Sequence, residues 1–434
     1  MQIYLPESAR RDGAYLANHF LMQAEYFCPE RIQLTNSLSG LSSGDWALLI
    51  RAPGAFSLSR QSLDMRGRRG QSTVFEMLTR DERDALRSRK GSLILDLGWE
   101  MLFTYDDVMD GLVESIENLQ IDPRRIFLIQ CNFAANNSLA RRWMSKTSLP
   151  TIQNMAFPVA LSLMNVWQQK RVTPEDVENR LSEARVALTK ASRSRRYCFF
   201  NGEPRTFRLM LLCHLAARGV LDDGFVSMLG YSKGPSGPGD TRSESERYRS
   251  FARKVGAADD VVNVIDAVLA RLPLNLDVNA EEVRSSLEQV AWTSPDRRFY
   301  NDSWFSLVAD TLFFDQHALF VTEKVLKPII NASPFVYFGC PGAIRHLESW
   351  GFQTHTGIFA PGHDLLEDGN ARMESGISSV VAACKMPESD LRDAVIAEWP
   401  TSAANYRHFW WGFRDRLADG FRGGILDAIA HAQS

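Results

Sequence analysis

Two lysines stand three residues apart in the stretch Phe320-Val321-Thr322-Glu323-Lys324-Val325-Leu326-Lys327-Pro328-Ile329. Arginine supplies 40 of the 49 basic residues of this chain and lysine only nine, so two lysines in one predicted helical turn carry information. A compact ammonium on a flexible stem suits a phosphate approached from one direction. Glu323 beside it can accept hydrogen bonds from ribose hydroxyls, as acidic residues do in dinucleotide folds. The plainer reading of the same pattern is an exposed helix turn with ordinary charges. A second basic pair, Arg205 and Arg208, falls in the first turn of a predicted helix, where the macrodipole is already positive. A diphosphate at that helix N-terminus would relieve the conflict; Glu203 and solvent would relieve it too.

Carboxylates supply the other half of the chemistry. Glu100 follows a predicted strand, Ser92 to Leu97, and a turn at Gly98. Ligands of open α/β sheets gather beyond the carboxyl ends of strands, so a base for an acceptor hydroxyl could stand there. Asp96 and Asp12 are its rivals, and a carboxylate that merely opens a helix is the plain alternative. No Asp-x-Asp pair is present to hold a diphosphate-bound cation, and no metal is expected. G-x-G-x-x-G and Walker signatures are absent as well. The six cysteines are scattered without a C-x-x-C pair, which points to buried free thiols rather than zinc or disulfides.

The elements that must position these groups alternate between strand and helix. In the first half the strands are Ile3-Tyr4-Leu5, Trp46 to Ile50, Ser92 to Leu97 and Ile126 to Ile129; the helices are Ala14 to Phe27, Asp107 to Leu119 and Asn137 to Met144. Continuous apolar strands separated by helices predict a parallel sheet covered on both faces. Thr173-Pro174-Glu175-Asp176 starts a helix predicted to run to about Ala191 and to end in the basic run Arg193 to Arg196. A second α/β pattern follows: strand Tyr197 to Phe200, helix Arg205 to Arg218, and a loop, Ser232 to Gly239, expected to be flexible. Near the motif, Ala318 to Val321 reads as a strand and Thr322 as the N-cap of the next helix, which Pro328 should kink. Phe335 to Phe338 is a buried strand, and Gly339-Cys340-Pro341-Gly342 turns the chain into a helix ending at Gly351.

A chain of 434 residues suits two domains of roughly 200 residues each. Its 45% hydrophobic and 23% charged content is ordinary for a globular protein, and a net charge of −3 does not suggest a nucleic-acid binder. The basic runs Arg66-Gly67-Arg68-Arg69, Arg87 to Lys90 and Arg193 to Arg196 read as solvated loops, with contact to an anionic acceptor or a membrane surface as the second reading. Neither a signal-peptide start nor an apolar run of ~20 residues is seen, so the cytoplasm is the expected location.

Thr322-Glu323-Lys324, between an apolar strand and a further strand-glycine unit, resembles the donor-binding motif of the α-1,3-fucosyltransferases (family 10). The longer stretch Phe320 to Ile329 resembles related glycosyltransferase-like proteins of bacteria and phage. The likeness covers mainly residues 300–352, with weaker support from 197–219 and from Asn405-Tyr406-Arg407-His408-Phe409. It implies an α/β fold of the GT-B kind, two Rossmann-like domains facing each other across a cleft. It also implies a metal-independent, inverting transfer of a sugar from a nucleotide-sugar, GDP-fucose-like favoured, to a hydroxyl of a glycan or other acceptor. By position, Glu323 and Lys324 would contact the nucleotide and Arg205 or Arg208 the phosphates, with Asp310, Thr322 and Lys327 completing the donor set. Residues 1–192 would form the acceptor domain and 193–434 the donor domain, with Trp399 to Phe413 and a helix Arg414 to Ala432 crossing back onto the first. Val308-Ala309-Asp310-Thr311 stands where the fucosyltransferases carry Phe-Glu-Asn-Ser, and Pro328-Ile329 where they carry Asn-Ala. Those departures leave two other readings open: an inactive nucleotide- or glycan-binding protein, and a transferase using a CMP-activated sugar.

Overall fold

The structure is a computed structural model that describes residues 2–4, 19–31, 33–35, 46–51, 78–88, 91–96, 106–134, 143–145, 147–169, 172–189, 192–201, 205–228, 241–274, 297–314 and 318–433. It is an α/β protein whose described strands form two all-parallel sheets. The first contains β1 (Gln2–Tyr4), β2 (Gln33–Thr35), β3 (Trp46–Arg51), β4 (Gly91–Asp96), β5 (Ile126–Gln130) and β6 (Gln153–Ala156), in the order β2-β1-β3-β4-β5-β6. The second contains β7 (Arg195–Asn201), β8 (Gly224–Met228), β9 (Ser303–Ala309) and β10 (Phe335–Phe338), in the order β10-β9-β7-β8. Both are Rossmann-like, because a parallel neighbour needs a crossover and the described parts of the crossovers are largely helical.

Two compact units follow from this. Unit 1 holds Met1–Val166, His317–Phe320 and Arg414–Ser434; unit 2 holds Trp167–Gln316 and Val321–Phe413. The boundary therefore falls at 166/167, where the sequence suggests 192/193, and the helix Pro174–Leu188 belongs with unit 2. That helix starts where Thr173 and Asp176 predict it, since the Thr173 hydroxyl accepts from the Asp176 N–H (3.2 Å) and the Asp176 carboxylate accepts from the Thr173 N–H (3.0 Å). Its neighbours in unit 2 include the helix Trp399–Trp410, whose Tyr406 hydroxyl donates to the Val177 carbonyl at 3.0 Å.

Burial explains the continuous apolar runs. Every residue of β4, β5, β9 and β10 is buried. The helix Thr206–Ala217 buries nine consecutive residues from Phe207 to Leu215, and each large apolar side chain among them contributes about 1.5–3 kcal/mol. Phe305, Leu307, Val336 and Phe338 join it in the core of unit 2. All six cysteines are free and buried.

Three local expectations change. Arg193–Arg196 does not end a helix: Arg195 and Arg196 begin β7, and the Arg193 guanidinium lies 4.6 Å over the Trp304 ring and donates to the Ser303 carbonyl. Ala318–Val321 is irregular rather than a strand, because its backbone finds partners elsewhere; the Leu319 carbonyl accepts from the Phe133 N–H (2.8 Å) and the Leu319 N–H donates to Asn132 (3.0 Å). The helix expected from Thr322 to Pro328 shrinks to a 3₁₀ turn, Glu323–Val325, and one α-turn, Leu326–Ile329. Pro328 sits in the first turn of that short helix, where its missing N–H costs nothing. Glu100, Asp12, most of Asn137 to Met144, the Arg66 run and the Ser232 to Gly239 loop lie outside the described residues.

Gly224 begins β8 directly beneath the Tyr197 ring, and a Cβ there would overlap that ring. Tyr197 is fully buried and its hydroxyl donates to the Val220 carbonyl at 3.0 Å, so the ring has nowhere to move. Gly224→Ala is therefore expected to lower stability by about 1–3 kcal/mol in urea unfolding. An unchanged midpoint would show that the ring can yield.

Candidate active site

The order β10-β9-β7-β8 reverses direction between β9 and β7, and in open parallel sheets ligands collect beyond the carboxyl ends of strands at such a reversal. β7 ends at Asn201 and β9 at Ala309, with Phe199 opposite Leu307 fixing the register. The residues just beyond are Arg205, which is the N-cap residue of helix Thr206–Ala217, and Asp310-Thr311.

Asp310 is wholly buried. Its N–H donates to the Phe338 carbonyl (3.0 Å), and its own carbonyl accepts Nε and Nη2 of Arg208 at 3.2 and 2.9 Å. The carboxylate takes four protein donors. Oδ1 accepts the Thr311 N–H (2.5 Å) and the Thr322 hydroxyl (2.7 Å), while Oδ2 accepts the Thr322 N–H (2.9 Å) and the Tyr337 hydroxyl. Thr322 thus occupies the predicted N-cap position without making a cap bond; its hydroxyl donates to Asp310 and accepts from Lys324.

The Lys324 ammonium sits against this arrangement, donating to Oγ1 of Thr311 (3.3 Å), Oγ1 of Thr322 (3.3 Å) and Oε1 of Glu323 (3.0 Å). Its side chain is still 21% exposed, so it can reach a ligand without first leaving the protein. Lys327 and Lys324 line one small cavity of about 20 Å³, shared with Cys198, Phe200, Ser306 and Pro328. A larger cavity of about 280 Å³ opens along β10 beside Ile344, Phe359 and His363 and contains none of the residues predicted from sequence.

The charges respond to this setting. Burial pushes the Glu323 carboxyl up, but Lys324, its own backbone N–H and Lys327 outweigh burial and leave the group below its ordinary 4.5. Burial, aided by the Asp310 charge and hydrogen bond, holds the Tyr337 phenol well above 10.0. Tyr337 is therefore a permanent donor to Asp310.

Of the predicted residues, Arg208, Asp310, Thr322, Glu323 and Lys324 form one hydrogen-bonded chain, and Lys327 lies beside it. Arg208 is 3% exposed, and its guanidinium is turned to the Asp310 carbonyl. Asp96 is also committed: its buried carboxylate accepts the Phe20 N–H at 3.0 Å, near the start of helix His19–Phe27. Asn405, in the segment of weaker resemblance, brackets the backbone of Gln353 with both ends of its amide. Sequence reasoning missed Thr311, Tyr337 and Asn201. Asn201 ends β7 with a buried carboxamide whose oxygen and nitrogen find no hydrogen-bond partner among the described residues. A polar residue closing an apolar strand was the available signal; nothing in Phe335-Val336-Tyr337-Phe338 shows which way the phenol points.

No family model and no curated protein matches this chain. Solved structures with similar coordinates include an α1,3-fucosyltransferase, at 9% identity and a TM-score of 0.39, covering 100% of this chain and 92% of that one. The α,α-trehalose 6-phosphate synthase of Burkholderia multivorans is similar at 13% identity and a TM-score of 0.35, covering 98% and 78%. A glycosyltransferase of Rickettsia africae is similar at 9% and 0.33, covering 96% and 98%.

The Glu323–Lys324 pair has a pH signature. A carboxyl whose folded value lies below 4.5 contributes its full stabilisation above 4.5 and loses it as pH falls through the folded value. Lys324→Met removes the main lowering partner, so the stability gap between wild type and variant in urea should be widest above 4.5 and close below it. A gap that stays constant down to low pH would show that the pairing contributes nothing.

Proposed function

We propose that the protein is a glycosyltransferase of the GT-B kind, moving a sugar from a nucleotide-sugar to a hydroxyl of a glycan or other acceptor. One observation carries this: the ammonium of Lys324, a side chain 21% exposed, is cradled by Thr311, Thr322 and Glu323 next to the carboxyl end of β9, where the sheet order reverses. Fixed positive charge at that point is what a departing diphosphate requires, since a preorganised cation stabilises charge that develops as the bond breaks. The Thr322-Glu323-Lys324 sequence and its resemblance to a donor-binding motif support the same placement.

On this reading the acceptor oxygen bonds to the anomeric carbon as the bond to the diphosphate oxygen breaks, inverting that centre. The hydroxyl proton passes to a carboxylate, Glu100, and the electron pair leaves with the nucleoside diphosphate toward Lys324 and Lys327. Arg205 or Arg208, at the start of their helix, would meet the phosphates, and Nε and Nη2 of Arg208 also hold the Asp310 carbonyl. The absence of any Asp-x-Asp pair in the sequence supports a transfer that needs no cation. GDP-fucose-like donors are favoured from the motif's resemblance.

A thermal-shift panel of GDP, UDP and CMP tests the reading, because a ligand that binds only the folded state raises its melting temperature. GDP should stabilise most, with EDTA present. Stabilisation that disappears in EDTA and returns with Mg²⁺ or Mn²⁺ would overturn the cation-free part; preference for CMP would move the donor class. Lys324→Ala should weaken GDP binding by about 1.5–3 kcal/mol, the scale of a hydrogen bond to a charged group.

For the base, Glu100→Gln should keep GDP affinity while donor turnover, followed as nucleoside diphosphate release, falls by about 10²–10⁴-fold. Near-normal turnover in that variant would remove Glu100 from the mechanism. Nucleotide binding with no turnover in wild type would favour a binding protein instead.

A further inference from the structure

Tyr337 carries a buried donor on a strand otherwise made of hydrocarbon, and no step of the proposed transfer uses it. Its hydroxyl reaches Asp310, while its carbonyl is held by His363 Nε2 at 2.9 Å. Gly339, two residues on, leaves room for the ring; a Cβ there would lie 2.6 Å from the ring carbon Cε1 and 3.1 Å from the hydroxyl oxygen. Strand, glycine and phenol together aim one donor at one carboxylate.

Asp310 is equally unsuited to touching a nucleotide directly. It has no exposure, four protein donors fill its two oxygens, and a bare carboxylate would repel a diphosphate. Among the described residues, two of the three oxygens around the Lys324 ammonium belong to residues that Asp310 holds, namely Thr311 through its N–H and Thr322 through both N–H and hydroxyl. The negative charge therefore stands behind the lysine, one hydroxyl away.

We infer that Tyr337 and Asp310 are positioning residues: Tyr337 orients the Asp310 carboxylate, Asp310 orients Thr311 and Thr322, and their hydroxyls hold the Lys324 ammonium toward the donor phosphates. The phosphate end of this chain rests on the donor-site reading above; the protein end does not. Asp310 moves accordingly from the donor-contacting set to the group behind it.

A double-mutant cycle with GDP as the probe separates positioning from a merely structural hydrogen bond. Tyr337→Phe should weaken GDP binding about tenfold. On the Lys324→Ala background it should cause no further loss, because it acts through that lysine. Equal losses on both backgrounds would overturn the proposal. Gly339→Ala, which crowds the same ring, is the second variant and should reproduce Tyr337→Phe. A ligand-free readout covers the protein end: the rate at which an amine-reactive acetyl ester labels Lys324, followed by mass spectrometry, should rise several-fold in both variants. An unchanged labelling rate would overturn positioning whatever GDP does. Wild type and Lys324→Ala with equal GDP affinity, but faster labelling in Tyr337→Phe, would instead sink the donor-site reading and leave the positioning chain standing.

Discussion

A carboxylate removed from water loses hydration worth several kcal/mol and must recover it from protein donors, or stop being charged. Asp310 recovers it from two backbone N–H groups, one threonine hydroxyl and one phenol. Those donors come from three places in the chain: the residue next door, the turn at Thr322 and the middle of β10. Satisfying one buried charge thus ties the end of β9 to β10 and to the start of the motif. It does so where regular structure cannot, because Ala318 to Thr322 has no strand ladder to fix it.

The parallel sheet decides where that charge sits. Strand β9 is buried along its whole length, so its first polar side chain beyond the apolar run emerges at the carboxyl end, beside β7 where the strand order turns back. Arg208 closes the gap from the other side. Its helix starts just after β7, and its guanidinium reaches the Asp310 carbonyl, pinning helix to strand end with a charge-assisted bond. The motif can then be short. One 3₁₀ turn and one α-turn present Lys324 and Lys327 to a shared cavity, and Pro328 lets the helix stay brief without an unsatisfied N–H.

Much of the architecture is legible in the sequence. Runs such as Ile126 to Ile129 and Phe335 to Phe338 are apolar on both faces, which only a sheet covered on both sides tolerates, and both are strands. Thr173-Pro174-Glu175-Asp176 reads as a helix start because its capping bonds are local, and local bonds follow from spacing alone. Ala318 to Val321 misled for the converse reason. Its apolar composition matches a strand, yet Leu319 pairs with Asn132 and Phe133, almost two hundred residues earlier, and no local pattern reports that.

The candidate site divides along the same line. Sequence by itself determined that Glu323 and Lys324 are adjacent, that Lys327 follows one turn on, and that Arg205 and Arg208 share the opening of a helix; these are facts of covalent order and helical period. It also determined the parallel α/β class, through apolar runs that alternate with helices. Only the tertiary structure decided that Arg208 faces a backbone carbonyl, that Asp310 lies behind the lysine, and that Tyr337 serves it from a neighbouring strand. A buried polar group takes its partner from whatever element packs against it, and that partner can lie a hundred residues away, so pairing of this kind is set by packing and leaves no periodic trace in the chain.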